Sequence, residues 1–141
     1  MTYPYRNHKT CADWEPLPER FSVMLPLPPS TNALFATVGK RRVKSEAYKA
    51  WLNEARYAVL TRWRELGKPA WPDKTPMLLA IDAGIGDRRR DLGNIEKAVS
   101  DILAKELPVP DDRWTDLIIL KRTTDHPGFA HVVLGPLEPP G

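Results

Sequence analysis

The sequence predicts a single α+β domain in which a mixed β-sheet is packed with two main helices. Two segments carry apolar residues at three- and four-residue intervals, which is the period of an amphipathic helix. Short apolar runs at 21–27, 77–81, 117–120 and 129–134 are typical of β-strands. With 141 residues, of which 42% are hydrophobic and 28% charged, the chain is long enough for one moderate core.

The first part of the chain is interpreted as an extended arm, residues 1–20, followed by an edge strand and a hairpin. The segment 21–27 alternates apolar and other residues and contains Pro26, which is tolerated best at the edge of a sheet. A small hairpin is predicted within 34–44. Its tip carries three basic residues: Lys40, Arg41 and Arg42. This tip is either a solvated loop or a contact to a phosphate backbone.

The first helix is predicted to begin after Ser45, a good N-cap residue, and to end at Gly67 and Pro69. Its apolar stripe recurs at helical spacing: Tyr48, Trp51, Leu52, Ala55, Val59, Trp63 and Leu66. We interpret this stripe as core, although its aromatic content could equally serve a dimer interface.

A nearly continuous apolar run at 77–81 predicts a central strand that is covered on both faces. Gly84 and Gly86 then lead into a strongly charged segment. Three consecutive arginines follow: Arg88, Arg89 and Arg90. Because like charges at this density repel one another unless an anion offsets them, a phosphate backbone is the most economical partner.

Asp91 is predicted to open the second helix, which buries Leu92, Ile95, Val99, Ile102 and Leu103. At about 100° per residue, the polar residues Asn94, Lys97 and Asp101 fall on the opposite side. Lys97 and Asp101 could form an ordinary i,i+4 ion pair, worth about 0.2–0.5 kcal/mol. Lys97 could instead reach a phosphate.

Pro108 and Pro110 end this helix, and a turn with Asp111 and Asp112 precedes the next strand. The last strand, 129–134, is followed by a proline-rich tail, 135–141. Asp91 and Asp112 are expected to meet if the ends of the strands they adjoin lie side by side. Carboxylates that converge near basic residues are what metal-assisted phosphodiester hydrolysis requires, since Mg²⁺ prefers hard oxygen ligands.

Several motifs together resemble the RusA family of Holliday junction resolvases. They are LPLPPSTN at 25–32, the basic segment before the first helix, RRRDLGNIEKAVSDIL at 88–103, and PDDRW at 110–114 followed by LIILKR. The similarity covers about 21–134. It implies a RusA-like fold and a homodimeric, Mg²⁺-dependent endonuclease, with Mn²⁺ as a substitute, that binds four-way DNA junctions and nicks them symmetrically.

The resemblance also implies roles for individual residues. Asp91 and Asp112 match the family's metal-binding aspartates, and Lys97 matches its functional lysine. Asn94, Asp101 and Asp111 take supporting roles. The phosphate-binding set comprises Lys40, Arg41, Arg42, Arg88, Arg89, Arg90 and Lys97.

The chain departs from the family pattern at Gly93, where a second motif aspartate is expected. Water could fill the open coordination position, or another acid could substitute, with Asp87, Glu96 and Asp111 as candidates. The alternative function is a protein that binds branched DNA with weakened or lost cleavage.

The composition of the chain excludes several other classes of protein. A single cysteine, Cys11, excludes an intrachain disulfide and a cysteine-based zinc site. No apolar run is long enough to span a bilayer, and the first residues lack the apolar core of a signal peptide. The net charge of +3 is compatible with nucleic-acid binding. The expectation is a cytoplasmic protein, encoded by a bacterium or a phage.

Overall fold

The computed structural model describes residues 20–29, 35–38, 41–86 and 92–137. Within them the chain is a mixed α+β domain with two helices packed on a four-stranded sheet, which confirms the predicted class. The elements follow in this order: β1 (Phe21–Pro26), β2 (Phe35–Val38), β3 (Arg41–Lys44), α1 (Glu46–Glu65), β4 (Met77–Ala83), α2 (Leu92–Glu106), β5 (Thr115–Arg122) and β6 (Phe129–Pro136). A single 3₁₀ turn, Asp112–Trp114, precedes β5.

The sheet has the strand order β1-β6-β4-β5. β6 pairs antiparallel with both β1 and β4, whereas β4 and β5 pair parallel, from Met77 opposite Thr115 to Ala83 opposite Arg122. All seven residues of β4 are buried, so the prediction of a central strand is confirmed. β1 lies at an edge, as Pro26 indicated.

Both helices cover the same face of the sheet, because alternate strand residues join their apolar stripes in one core. α1 buries Tyr48, Trp51, Ala55 and Val59. α2 buries Ile95, Ala98, Val99, Ile102 and Leu103, close to the predicted set. Leu92 is only partly buried beside this core.

α1 also hydrogen-bonds the edge strand β1. The Trp51 indole donates to the Pro26 carbonyl at 2.7 Å, and the Arg62 guanidinium donates to the Ser22 carbonyl at 2.9 Å. The helix begins and ends where the sequence predicted. Ser45 accepts from the Tyr48 amide as N-cap, and Gly67 leaves the helix with φ of 84°.

The predicted hairpin is present as the two-stranded ladder of β2 and β3. Arg41 and Arg42 do not lie at its tip as predicted, because they pair with Val38 and Thr37 within the ladder, and Lys40 lies outside the described residues. β5 is longer than the predicted 117–120, because its pairing with β4 extends from Thr115 to Arg122. In the described part of the chain, neither helix combines the length and apolar character needed to span a bilayer.

The central strand should dominate stability. Ile81 is 1% exposed, whereas Ile118 on the edge strand β5 is 42% exposed. We expect Ile81→Ala to lower the free energy of unfolding by about 2–5 kcal/mol, since it leaves a cavity in the core. Ile118→Ala, the matched control, should cost no more than about 1 kcal/mol. Urea denaturation followed by circular dichroism measures both, and equal losses would contradict the assigned centre of the core.

Candidate functional site

Of the two acidic positions singled out in the sequence, only Asp112 lies within the described residues. Asp112 lies just before β5, whose first residue, Thr115, pairs with the first residue of β4. Residues 87–91, by contrast, follow the last residues of β4. Since β4 and β5 are parallel and β4 has seven residues, these two ends are separated by about 20 Å. These strand ends therefore do not lie side by side, but Asp91 itself is outside the described residues, so its meeting with Asp112 stays a prediction.

The two neighbouring aspartates of this turn, Asp111 and Asp112, differ in their contacts. The Asp111 carboxylate caps the 3₁₀ turn by accepting from the Arg113 amide at 3.1 Å, and it lies 3.4 Å from the Arg113 guanidinium. The Arg113 amide is the main cause that lowers the pKa of Asp111, with further contributions from the Asp112 side chain and the Arg113 charge. Asp112 is exposed, and no ion pair reaches it within the described residues. Asp111 is thus the structural member of the pair.

A cavity of about 180 Å³ lies between α2, β4 and the start of β5, and Asp112 lines it. Its wall is mostly apolar, with Met77, Leu79 and Leu103 among the lining residues. Of the carboxylates on α2, only Glu96 takes part in the lining. The cavity thus places a second acid on the same concave surface as Asp112.

Glu96 is half-buried, as expected for a residue between the apolar stripe and the polar face of α2. Its carboxylate accepts from the Ser100 hydroxyl at 2.6 Å, one turn further along the helix. This bond directs Glu96 along the helix. Among the acids considered as substitutes at position 93, Glu96 and Asp111 are described, and each already has a local partner.

The polar face of α2 is exposed as predicted, with Asn94, Lys97 and Asp101 on it. No ion pair joins the described side chains of Lys97 and Asp101. The interpretation of these two residues as an ordinary i,i+4 ion pair is therefore wrong. Asp101 lies on the side of α1. Burial raises the pKa of the Tyr48 hydroxyl, and the charge of Asp101 raises it further.

Other predicted site residues fall where the structure gives no description of the side chain. Lys40, Asp87 and Asp91 lie outside the described residues, as do the three arginines Arg88, Arg89 and Arg90. Arg41 and Arg42 are described only as backbone, in β3. The phosphate-binding roles of the basic residues and the metal-binding roles of the acidic residues in this group stay predictions.

The described residues alone do not form a metal centre. Nowhere in residues 20–29, 35–38, 41–86 and 92–137 do three histidine, cysteine or carboxylate side chains converge in a way that could hold an ion. Asp112 still fits Mg²⁺ as one ligand, because it is an exposed hard oxygen donor and Mg²⁺ keeps several of its waters. A set of three such ligands would need a residue from outside the described part of the chain or from another copy.

A pair of residues that the sequence did not single out connects two distant segments. Asp82 in β4 is only 4% exposed, and its backbone carbonyl accepts from the imidazole of His126, 2.8 Å away. An acidic residue near the end of an apolar strand, Asp82, was one feature of the sequence that could have drawn attention to this position. Nothing local marked His126, which is 44 positions away.

Comparison with known proteins identifies the family of this chain. The family model described as Endodeoxyribonuclease RusA matches residues 26–132. No curated protein is similar enough to the chain to match it. The match includes every described strand except most of β1 and the end of β6, and it spans both helices and the turn with Asp112. The chain therefore belongs to the RusA endodeoxyribonuclease family.

Proposed function

We propose that this protein is a Mg²⁺-dependent endodeoxyribonuclease that binds four-way DNA junctions and resolves them by paired symmetric nicks. The observation that carries the proposal is the exposed Asp112 beside the α2 cavity, in a chain whose residues 26–132 match the RusA family. Members of an endodeoxyribonuclease family cut DNA, and the two-fold outcome fits a nearly two-fold substrate.

In this proposal Asp112 and Asp91 hold the metal ion. When bound, Mg²⁺ supplies an activated water and offsets charge on the scissile phosphate, and Mn²⁺ can take its place. Asp111 keeps the 3₁₀ turn in place by bonding the Arg113 amide, so that Asp112 stays exposed. Lys97 is exposed on α2, where its ammonium can offset negative charge on the phosphate as a point charge.

A homodimer is part of the proposal, because the end of β4, which precedes Asp91 in the sequence, and the start of β5, which follows Asp112, lie at opposite ends of the sheet. Carboxylates that share one Mg²⁺ each bind it at about 2.0–2.1 Å, which the strand ends of one chain do not favour. A second copy related by a two-fold axis can bring its own segment to the open end. Two identical shared sites would then result, one for each nick.

The basic residues would bind the DNA backbone and place it near these sites. They are Lys40, Arg41, Arg42, Arg88, Arg89 and Arg90. Contacts of this kind are independent of base sequence and weaken with salt. They suit a substrate that is recognised by its branched shape.

Asp112→Asn tests the assignment within the acidic pair. It should lower the rate of junction cleavage by about 100-fold or more, since it removes a charged ligand of the metal ion that stabilises the transition state. Junction binding without divalent metal should be retained. The matched control is Asp111→Asn, because asparagine also caps the turn and should leave most of the activity. Cleavage of a labelled junction measures both, and an inverted order would assign the metal to Asp111.

A mixture of Asp91→Asn and Asp112→Asn chains tests the shared site. Each variant alone should be inactive. If two copies share each site, a mixed dimer contains one complete pair of aspartates, and nicking of one strand should return after subunit exchange. If one chain holds the ion by itself, every site in the mixture lacks an aspartate, and no activity should return. Mass spectrometry of the intact dimers verifies that mixing has occurred.

Gly93 supports the second candidate function, junction binding with weakened cleavage. α2 has no acidic residue in its first turn, so the position offers no carboxylate to a cation. Gly93→Asp should raise the cleavage rate at least about tenfold at limiting Mg²⁺, by analogy with other groups that support bound metals. Gly93→Asn is the uncharged control. If wild type cleaves fully and Gly93→Asp changes neither its rate nor its Mg²⁺ requirement, this second candidate is wrong.

A further inference from the structure

β5 (Thr115–Arg122) is the open edge of the sheet. It is the last strand in the order, and no described strand pairs with its outer side. The opposite edge, β1, is different, because the Trp51 and Arg62 side chains of α1 bond its Pro26 and Ser22 carbonyls. An unpaired edge presents a row of backbone donors and acceptors to another strand. Of these two edges, β5 is therefore the one suited to a further strand.

The side chains of β5 suit pairing with a second apolar strand. Its centre consists of four consecutive apolar residues, 117–120. Ile118 is 42% exposed and the other three are only half-buried, whereas every residue of the neighbouring β4 is buried. The eight residues of the strand span about 26 Å. Proteins commonly protect such an edge with a proline or a charge, and the apolar centre of β5 contains neither.

The charges of β5 are arranged so that the strand complements itself. Asp116 lies near its start, and Lys121 and Arg122 lie at its end. Asp116 is exposed, and no ion pair among the described side chains includes it. In an antiparallel pair of identical strands, the acidic start of each strand faces the basic end of the other. In-register parallel pairing would place like charges side by side, which is unfavourable.

The two faces of the sheet restrict how such strands can pair. Leu120 and Ile118 are on the face that the helices cover, whereas Ile119 is on the opposite face. A two-fold axis perpendicular to the sheet keeps both pairs of helices on one face, so residues that lie opposite one another must share a face. A register centred on Ile119 satisfies this condition. It places Asp116 opposite Arg122 of the second copy. It also places Ile118 opposite Leu120 of the second copy.

We propose that β5 is the dimer interface, along which two copies pair antiparallel and join their four-stranded sheets into one. This pairing brings the start of β5 in one copy beside the end of β5 in the second copy. Because β4 and β5 are parallel, the end of the second copy's β4 is one strand further along. Two strand spacings, about 10 Å, then separate it from the start of β5, compared with about 20 Å along the strands of one chain.

The interface also borders the candidate site. Ile118 and Asp112 line the same cavity beside α2, so a second copy on β5 lies next to Asp112. The inference rests on the proposed function, since it names the surface through which the two copies in that proposal meet. The pairing itself involves only β5 and needs neither DNA nor metal, so it can be measured separately from cleavage.

Ile118→Lys tests the interface. Ile118 is partly exposed, so a lysine is compatible with the folded chain, but in the dimer it places a charge against an apolar strand. Met24→Lys is the matched control, because Met24 is 45% exposed on the other edge strand, β1. We expect the dimer Kd, measured by analytical ultracentrifugation without DNA, to rise about 100-fold or more in Ile118→Lys. It should be unchanged in Met24→Lys, and circular dichroism verifies that both variants fold.

An exchange of charges tests the register and does not depend on the first variant. Asp116→Arg and Arg122→Glu should each weaken their own dimer, because each places like charges opposite one another at both ends of the interface. A mixture of the two variants brings opposite charges together at both ends, so heterodimers should exceed the two homodimers combined. Native mass spectrometry counts the three species. A purely statistical distribution would contradict the proposed pairing.

Hydrogen exchange of the β5 amides distinguishes a second copy from other occupants of this edge. Protection of 115–122 should increase with protein concentration in wild type and not in Ile118→Lys. Protection that is independent of concentration would mean that another part of the same chain covers β5. That result, a wild type that remains monomeric, or equal weakening by Met24→Lys would each overturn the proposal. If dimers form through β5 but do not cut junctions, the proposed function fails and the interface stands.

Discussion

The parallel pairing of β4 with β5 is the constraint on which the rest of the structure depends. Parallel neighbours cannot be joined by a tight turn, so the chain must cross back over the sheet, and α2 provides that crossover. The family motif is arranged around it. The arginines and Asp91 come before α2, Lys97 lies on it, and Asp112 follows it. The motif residues therefore precede, lie on and follow a single crossover helix.

The same crossover helix has to pack and to function. Its buried residues, such as Ile95 and Val99, fix its rotation on the sheet, and that rotation leaves Lys97 exposed and Glu96 in the cavity with Asp112. A helix turned by one residue would bury the lysine at a cost that the core could not offset. At the far side of the sheet, α1 bonds the carbonyls of β1, which blocks that edge to further strands. β5 forms the other edge, beside Asp112.

Much of the fold could be predicted because its signals are local. Ser45 and Gly67 delimit α1, Pro26 identifies an edge strand, and the apolar run of β4 indicates a central one. The neighbour of β4 carries no local signal, since an apolar run shows burial but not which strand lies beside it or in which direction. The expected meeting of Asp91 and Asp112 depended on that direction. The bond from His126 to Asp82 is equally invisible, because the two residues are distant in sequence.

The charge of the proposed metal site indicates which of its properties depend on Gly93. In the proposed site, the carboxylates of Asp91 and Asp112 would together balance the charge of one Mg²⁺, and water would complete its coordination. A third carboxylate would bind the ion more tightly, but in the absence of metal it would add repulsion between like charges. Glycine also costs about 1 kcal/mol relative to alanine inside a helix, so helix stability does not favour it at this position. Gly93 therefore bears on how strongly the ion is held, while the proposed chemistry of Asp112 and Lys97 is the same with either residue.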